Sequence, residues 1–70
     1  MEKYAFVRKW QPIATAPLNA ELELSIYDEG EYHALTFPSL RDGKGWRDVR
    51  LNRPLQLQPT HWRIWDHKRE

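Results

Sequence analysis

Three histidines, at positions 33, 61 and 67, and five hydroxyl side chains, Thr15, Ser25, Thr36, Ser39 and Thr60, are the groups in this chain that could ligate a metal or attack a substrate. Metal binding needs two or more ligands converging at a recognised spacing. His61 and His67 are six residues apart, which on one strand puts them on the same face but ~20 Å from each other. His33 can approach His61 only if the strands carrying them are neighbours. The spacing matches no metal template, so no metal is expected. Nucleophilic catalysis needs a hydroxyl with a base in reach and a stabiliser for the developing charge. None of the five hydroxyls sits in a nucleophile-elbow context. Thr60 adjoins His61 in sequence, but on a strand it points to the opposite face. Glu21 and Glu23 share a strand face beside the acidic Asp28, Glu29 and Glu31, an arrangement that reads as a solvated edge. With little volume for a pocket in 70 residues, the expectation is a non-enzymatic chain without cofactor. His61 then reads as a packed histidine, held between tryptophans by a backbone hydrogen bond.

The elements that position these residues are strands. In "ELELSIY" (21–27), Leu22, Leu24 and Ile26 fall on one face and Glu21, Glu23 and Ser25 on the other. That alternation is the period of a half-buried strand. "DEG" (28–30) supplies a tight turn and "EYHALTF" (31–37) a return strand, so the pair predicts an antiparallel hairpin. "PSLRDGKG" (38–45) predicts a loop, "WRDVRL" (46–51) a short third strand and "THWRIWD" (60–66) a fourth. On the fourth, Trp62 and Ile64 share one face, and His61, Arg63 and Trp65 the other. Prolines at 12, 17, 38, 54 and 59 bar helices of ordinary length and make "QPIATAP" (11–17) and "NRPLQLQP" (52–59) irregular. "YAFVRKW" (4–10) predicts an arm or a further edge strand. The fold class is therefore mainly β: a single small antiparallel sheet of about three to five strands with proline-rich covering segments. Residues 1–70 form one domain, with 1–9 as arm or edge strand and 67–70 as a frayed tail.

Charge is unevenly placed. Residues 20–32 hold the acids Glu21, Glu23, Asp28, Glu29 and Glu31 and no base, whereas 41–53 hold Arg41, Lys44, Arg47, Arg50 and Arg53 against Asp42 and Asp48. A basic run with Trp46 among it is compatible with nucleic-acid binding through phosphate contacts and base stacking. Bases at every third strand position alternate between faces, however, so they form no single stripe. The favoured expectation is that the basic strand lies beside the acidic hairpin and cross-strand pairs cancel. An overall charge of +1 is too small to draw in nucleic acid or anionic lipid.

A domain this short buries only ~60% of the surface its unfolded chain exposes. With no cysteine, the compensation falls to large side chains or a partner subunit. Four Trp, three Tyr and two Phe supply the former. The segment "MEKYAFVRKW" contains no apolar run of signal-peptide length, and no stretch reaches the ~20 apolar residues of a membrane helix. A cytoplasmic setting without membrane contact is the expectation.

Two short motifs frame the sheet, "WQPIATAP" (10–17) and "PTHW" (59–62). A W-x-P-I-x-T-A-P opening with a closing T-H-W resembles small domains of unknown function from phage and bacterial genomes. Their closing element continues with an aliphatic residue, proline, leucine and proline, and this chain departs from that after Trp62 with "RIWDHKRE". The resemblance spans about residues 10 to 62. It implies a small bacterial or phage-related protein and no activity. Together these readings predict a small binding or accessory protein acting through protein contacts, with an unknown partner or a second copy of itself. A nucleic-acid module using 41–53 and exposed tryptophans is the alternative. The expected interaction surface is Trp46, Arg47, His61, Arg63 and Trp65, with Arg63 stacked on Trp65.

Overall fold

A computed structural model describes residues 9–66. It contains β1 (Gln11–Pro12), a 3-10 turn (Ile13–Thr15), β2 (Leu22–Asp28), β3 (Glu31–Ala34), β4 (Ser39–Asp42), β5 (Gly45–Asp48), β6 (Arg53–Pro54) and β7 (His61–Ile64). All pairings are antiparallel, in the order β1-β7-β2-β4-β5-β6, with β3 also on β2. β2 is the axis. β7 lies along one edge, and the other edge is shared by β3 near the end of β2 and by Ser39 of β4 at its start. No helix among the described residues is long and apolar enough to cross a membrane.

The predicted hairpin is present as β2–β3. Asp28 pairs with Glu31 across a two-residue loop in which Glu29 has φ 52° and Gly30 φ 82°. Two successive positive values make the turn type that matches strand twist, and Gly30 takes its value without Cβ strain. β3 ends at Ala34, earlier than the expected 37.

Among the described residues the sheet has seven strands, more than the three to five expected. Two of the added strands, β1 and β6, are two-residue pairings inside proline-bound segments expected to be irregular. The third, β4, lies in the stretch expected to be a loop. Its Asp-Gly signal does mark a turn, but one inside a second hairpin, where the Lys44 N–H donates to Asp42 Oδ1 at 2.8 Å. β5 stops at Asp48 because that carboxylate caps the next turn. It accepts the N–H groups of Arg50 (2.9 Å) and Leu51 (3.3 Å) and the Arg50 guanidinium (3.1 Å).

One face of the sheet carries the core, with Leu22 and Leu24 of β2 against Trp62 of β7. Each buried leucine is worth ~1.5–3 kcal/mol relative to exposure. Ile13 and Ala16 from the opening segment and Leu55 from the later proline-bound segment pack onto them, with Leu35, Trp46 and Ile64 around the margin. Register explains the grouping, since Leu24 lies opposite Trp62 and Leu22 opposite Ile64.

The two motifs meet. Gln11 and Pro12 pair with Trp62 and His61, the Ile13 N–H donates to the Thr60 carbonyl at 3.0 Å, and Trp62 Nε1–H donates to Thr15 Oγ1 at 3.0 Å. The opening and closing motifs thus form a clasp across the sheet edge, and T-H-W is the start of a strand.

Asp42 and Asp48 give the fold a pH dependence. The Lys44 backbone N–H, aided by Arg47, holds the Asp42 carboxyl below its ordinary value, and the Arg50 guanidinium does the same for Asp48. Folded-state values below the unfolded ones mean stability that is complete above about pH 4 and lost as pH falls through the folded values. Thermal midpoints of the wild type should therefore fall as pH drops from 5 to 2. In an Asp42→Asn/Asp48→Asn variant the same titration should be visibly flatter, and parallel curves would contradict this account.

Candidate interaction surface

The second face of the sheet was expected to be a solvated edge at Glu21 and Glu23. At Glu23 it is covered instead. Glu23, Ser25 and Tyr27 alternate away from the core on β2, and register brings Arg63, His61, Tyr32 and Ala34 alongside them. Ser25 is wholly buried and Glu23 half-buried.

Rings form the centre of this face. Tyr27 and Tyr32 lie directly opposite across the hairpin, centroids 4.7 Å apart. Tyr32 meets His61 edge-on at 5.0 Å, Tyr27 meets it at 6.1 Å, and Trp10 stacks on Tyr32 at 5.6 Å. The Arg63 guanidinium sits 4.0 Å from the Trp10 ring centroid while bonding Glu23 at 2.8 and 3.3 Å. Arg63 therefore stacks on Trp10 and not, as expected, on Trp65. Tyr27 and Tyr32 remain 46% and 44% exposed, and the adjoining Asp28, Glu29 and Glu31 are exposed with no base paired to them among the described residues. The surface is an aromatic strip ending in an acidic turn.

His61 is packed, as expected, but between tyrosines, and its hydrogen bond is to a side chain. Thr60 Oγ1 lies 2.8 Å from His61 Nδ1, which corrects the expectation that the two point apart. The same oxygen accepts the Tyr27 N–H at 2.8 Å and lies 3.4 Å from the Ser25 carbonyl. Thr60 Oγ1 thus bridges the His61 ring, the Tyr27 N–H and the Ser25 carbonyl. Thr60 is committed to joining β7 to β2. Thr15 serves Trp62 and the Pro12 carbonyl, and the hydroxyls of Ser25 and Ser39 are buried without a partner. A buried hydroxyl without a partner costs roughly 1–3 kcal/mol of desolvation. Ser25→Ala is therefore expected to raise stability by about 1 kcal/mol in urea titration, and a loss instead would reveal a hydrogen bond at Oγ.

His33 and His61 pair with β2 from opposite sides and on opposite faces. Among the described residues no three potential metal ligands cluster, and His67 lies outside them.

The expected surface divides in two. His61 and Arg63 belong to the aromatic strip, and Trp65 is half-buried just beyond β7. Trp46 and Arg47 lie on β5, separated from β7 by β2 and β4, so the two groups are roughly 14 Å apart. Trp46 leans on the core, 5.9 Å from the Arg41 guanidinium. It borders a depression of about 520 Å³ that also takes in Lys44, Arg47 and Leu55. The bases of 41–53 were expected to pair with the acidic hairpin, and their contacts among the described residues lie elsewhere. Asp42 holds Arg47 at 3.4 Å, Asp48 holds Arg50 at 3.1 Å, and Arg41 donates to the Ala16 carbonyl at 3.0 Å. Short hairpins bring nearby charges together first. Lys44 and Arg53 are the bases of this run whose side chains make no such contact among the described residues.

Sequence reasoning missed Trp10, Tyr27, Tyr32 and Glu23. Tyr27 and Tyr32 had a signal, because a two-residue loop at 29–30 sets them opposite each other. Trp10 and Arg63 had none, since their contact depends on how β1 meets β7. Comparison with known protein families, with curated proteins and with solved structures finds no match to this chain.

Proposed function

We propose that this chain is a small non-enzymatic binding or accessory protein that acts through protein contacts. The supporting observation is the aromatic strip with its acidic end, where two half-open tyrosines stand on a rigid hairpin, backed by His61, Trp10 and Arg63. Aromatic rings fixed beside an arginine are the usual anchors of protein interfaces, and Asp28, Glu29 and Glu31 favour a partner with basic groups. The Thr15 and Thr60 hydroxyls are engaged in the fold and those of Ser25 and Ser39 are buried, which also favours binding over catalysis. A bacterial or phage cytosolic setting rests on the resemblance carried by the two motifs. Crosslinking in cells that naturally express the chain tests the reading. A Tyr27→Ser/Glu29→Lys variant at equal abundance should lose the heterologous crosslinks of the wild type, and an unchanged set would remove this surface from consideration.

The second reading is nucleic-acid binding along the basic segment, with Lys44 at the depression beside Trp46 and Arg53 outside that depression on the neighbouring β6. Two phosphate contacts would give a slope of about −1.4 in log affinity against log salt for a single strand. Under the leading reading, polarisation of a labelled single-stranded oligonucleotide shows no binding at 50 mM salt up to roughly 100 µM protein. Saturable binding that weakens with that slope would reverse the order of the two readings.

A further inference from the structure

The sheet has three free margins among its described strands, and they differ. β1 ends at Pro12 and β6 at Pro54, residues that cannot donate to an added strand. β3 has no proline and no lysine, all four of its residues are exposed, and it pairs with β2 alone. Its hydrogen-bonding phase follows from the hairpin. The closing pair Asp28–Glu31 of a two-residue loop exchanges both bonds, as does every second pair after it. The Leu35 N–H donating to the Leu24 carbonyl at 2.9 Å falls on that phase. The N–H and C=O groups of Tyr32 and Ala34 therefore point away from β2, and among the described residues nothing pairs with them.

We infer that this edge pairs with β3 of a second copy of the chain, antiparallel about a two-fold axis at His33, to make a weak homodimer with a continuous sheet. The inference deepens the protein-contact reading by naming one partner. The edge is self-complementary in that register. Tyr32 of each copy lies opposite Ala34 of the other, and each pair exchanges two backbone hydrogen bonds. The small Ala34 leaves room for the half-exposed Tyr32 ring on the shared face. Charge also fits. The antiparallel register sets Glu31 opposite Leu35 of the other copy, so the two acidic turns lie at opposite ends of the seam. Each is directed at the other copy's 35–38 segment, which the turn after β5 borders through the Val49 N–H to the Pro38 carbonyl and Arg50 over Phe37 at 4.4 Å. The Arg50 side chain, bonded to Asp48, is still 53% exposed there, so each acidic turn lies beside a base and away from the other acidic turn. A seam this short belongs to the weak, transient class of interfaces.

Sedimentation from about 10 µM to 1 mM tests the pairing, together with Ala34→Pro and Ala34→Lys. Ala34→Pro removes an outward donor that β2 does not use, and Ala34→Lys keeps the backbone intact while placing a charge in the seam. The expected result is a concentration-dependent dimer in the wild type. Each variant should weaken it at least tenfold with an unchanged far-UV spectrum. Should the proline disturb the hairpin, the lysine variant alone decides. A monomer at 1 mM overturns the pairing, as does a dimer that neither variant weakens. In either case the protein-contact reading stands or falls separately, on the Tyr27 and Glu29 crosslinking.

Discussion

Trp62→Ala is expected to leave the chain largely unfolded at 37 °C. A domain of this length has roughly 4–10 kcal/mol of total stability, and its poor ratio of core to surface places it near the lower figure. Removing a buried tryptophan costs about 3–5 kcal/mol. Trp62 is 3% exposed and stands where β7, β2 and the opening segment converge, so little can collapse into the space it leaves. Its indole N–H also holds Thr15, and with it the 3-10 turn that delivers Ile13 and Ala16 to the core. Far-UV dichroism and amide dispersion should both report the loss. Trp62→Phe and Thr15→Val isolate the hydrogen bond, since Thr15→Val strands a buried N–H at a cost of about 1–3 kcal/mol. In the Phe variant there is no N–H to strand, so Thr15→Val should cost much less there. Equal costs in the two backgrounds would mean that the clasp does not depend on this bond.

That clasp explains how much of the fold is visible in the sequence. β2 and the Glu29–Gly30 turn were legible because alternation and turn chemistry are local. β7 was legible for the same reason, with Trp62 and Ile64 correctly set toward the core. β4 was not, because its alternation runs against hydrophobicity: Ser39 occupies the fully buried position opposite Leu22, while Leu40 is half-exposed. A serine in a leucine's place, beside an Asp-Gly turn, reads as a loop. β1 and β6 are too short to carry a period, and they exist because neighbouring strands offer them partners. The charge pattern misled for a related reason. It was read along blocks of sequence, whereas each hairpin neutralised its own bases with Asp42 and Asp48. The aromatic strip was partly read, through His61 and Arg63, and the tyrosines flanking the turn carried a signal that went unused. Its remaining member, Trp10, arrives through a contact that no local rule encodes.

Glu23→Ala is expected to cost about 2 kcal/mol, the second-largest loss among these predictions. The Glu23 carboxylate is 13% exposed and grips the Arg63 guanidinium with two bonds. Truncating it removes a two-bond partner from a half-buried cation, and the cost is that loss more than any net attraction in the pair. Fully buried pairs lose 3–5 kcal/mol on such truncation, and the 30% exposure of Arg63 scales the figure down. The partner substitution separates the two contributions. Glu23→Leu/Arg63→Leu replaces the pair with apolar groups on adjacent strands and should recover most of the stability lost by Glu23→Ala. It should not recover the surface. Arg63 is what Trp10 lies against, and Trp10 in turn braces Tyr32 and, through it, the contact with His61. The double variant should therefore fold normally while Trp10 fluorescence becomes more quenchable and the ring-shifted Tyr32 and His61 resonances move toward random-coil positions. Stability restored with those signals unchanged would show that the strip is held by strand register alone. The Glu23–Arg63 pair would then have no part in presenting Tyr27 and Tyr32 to a partner.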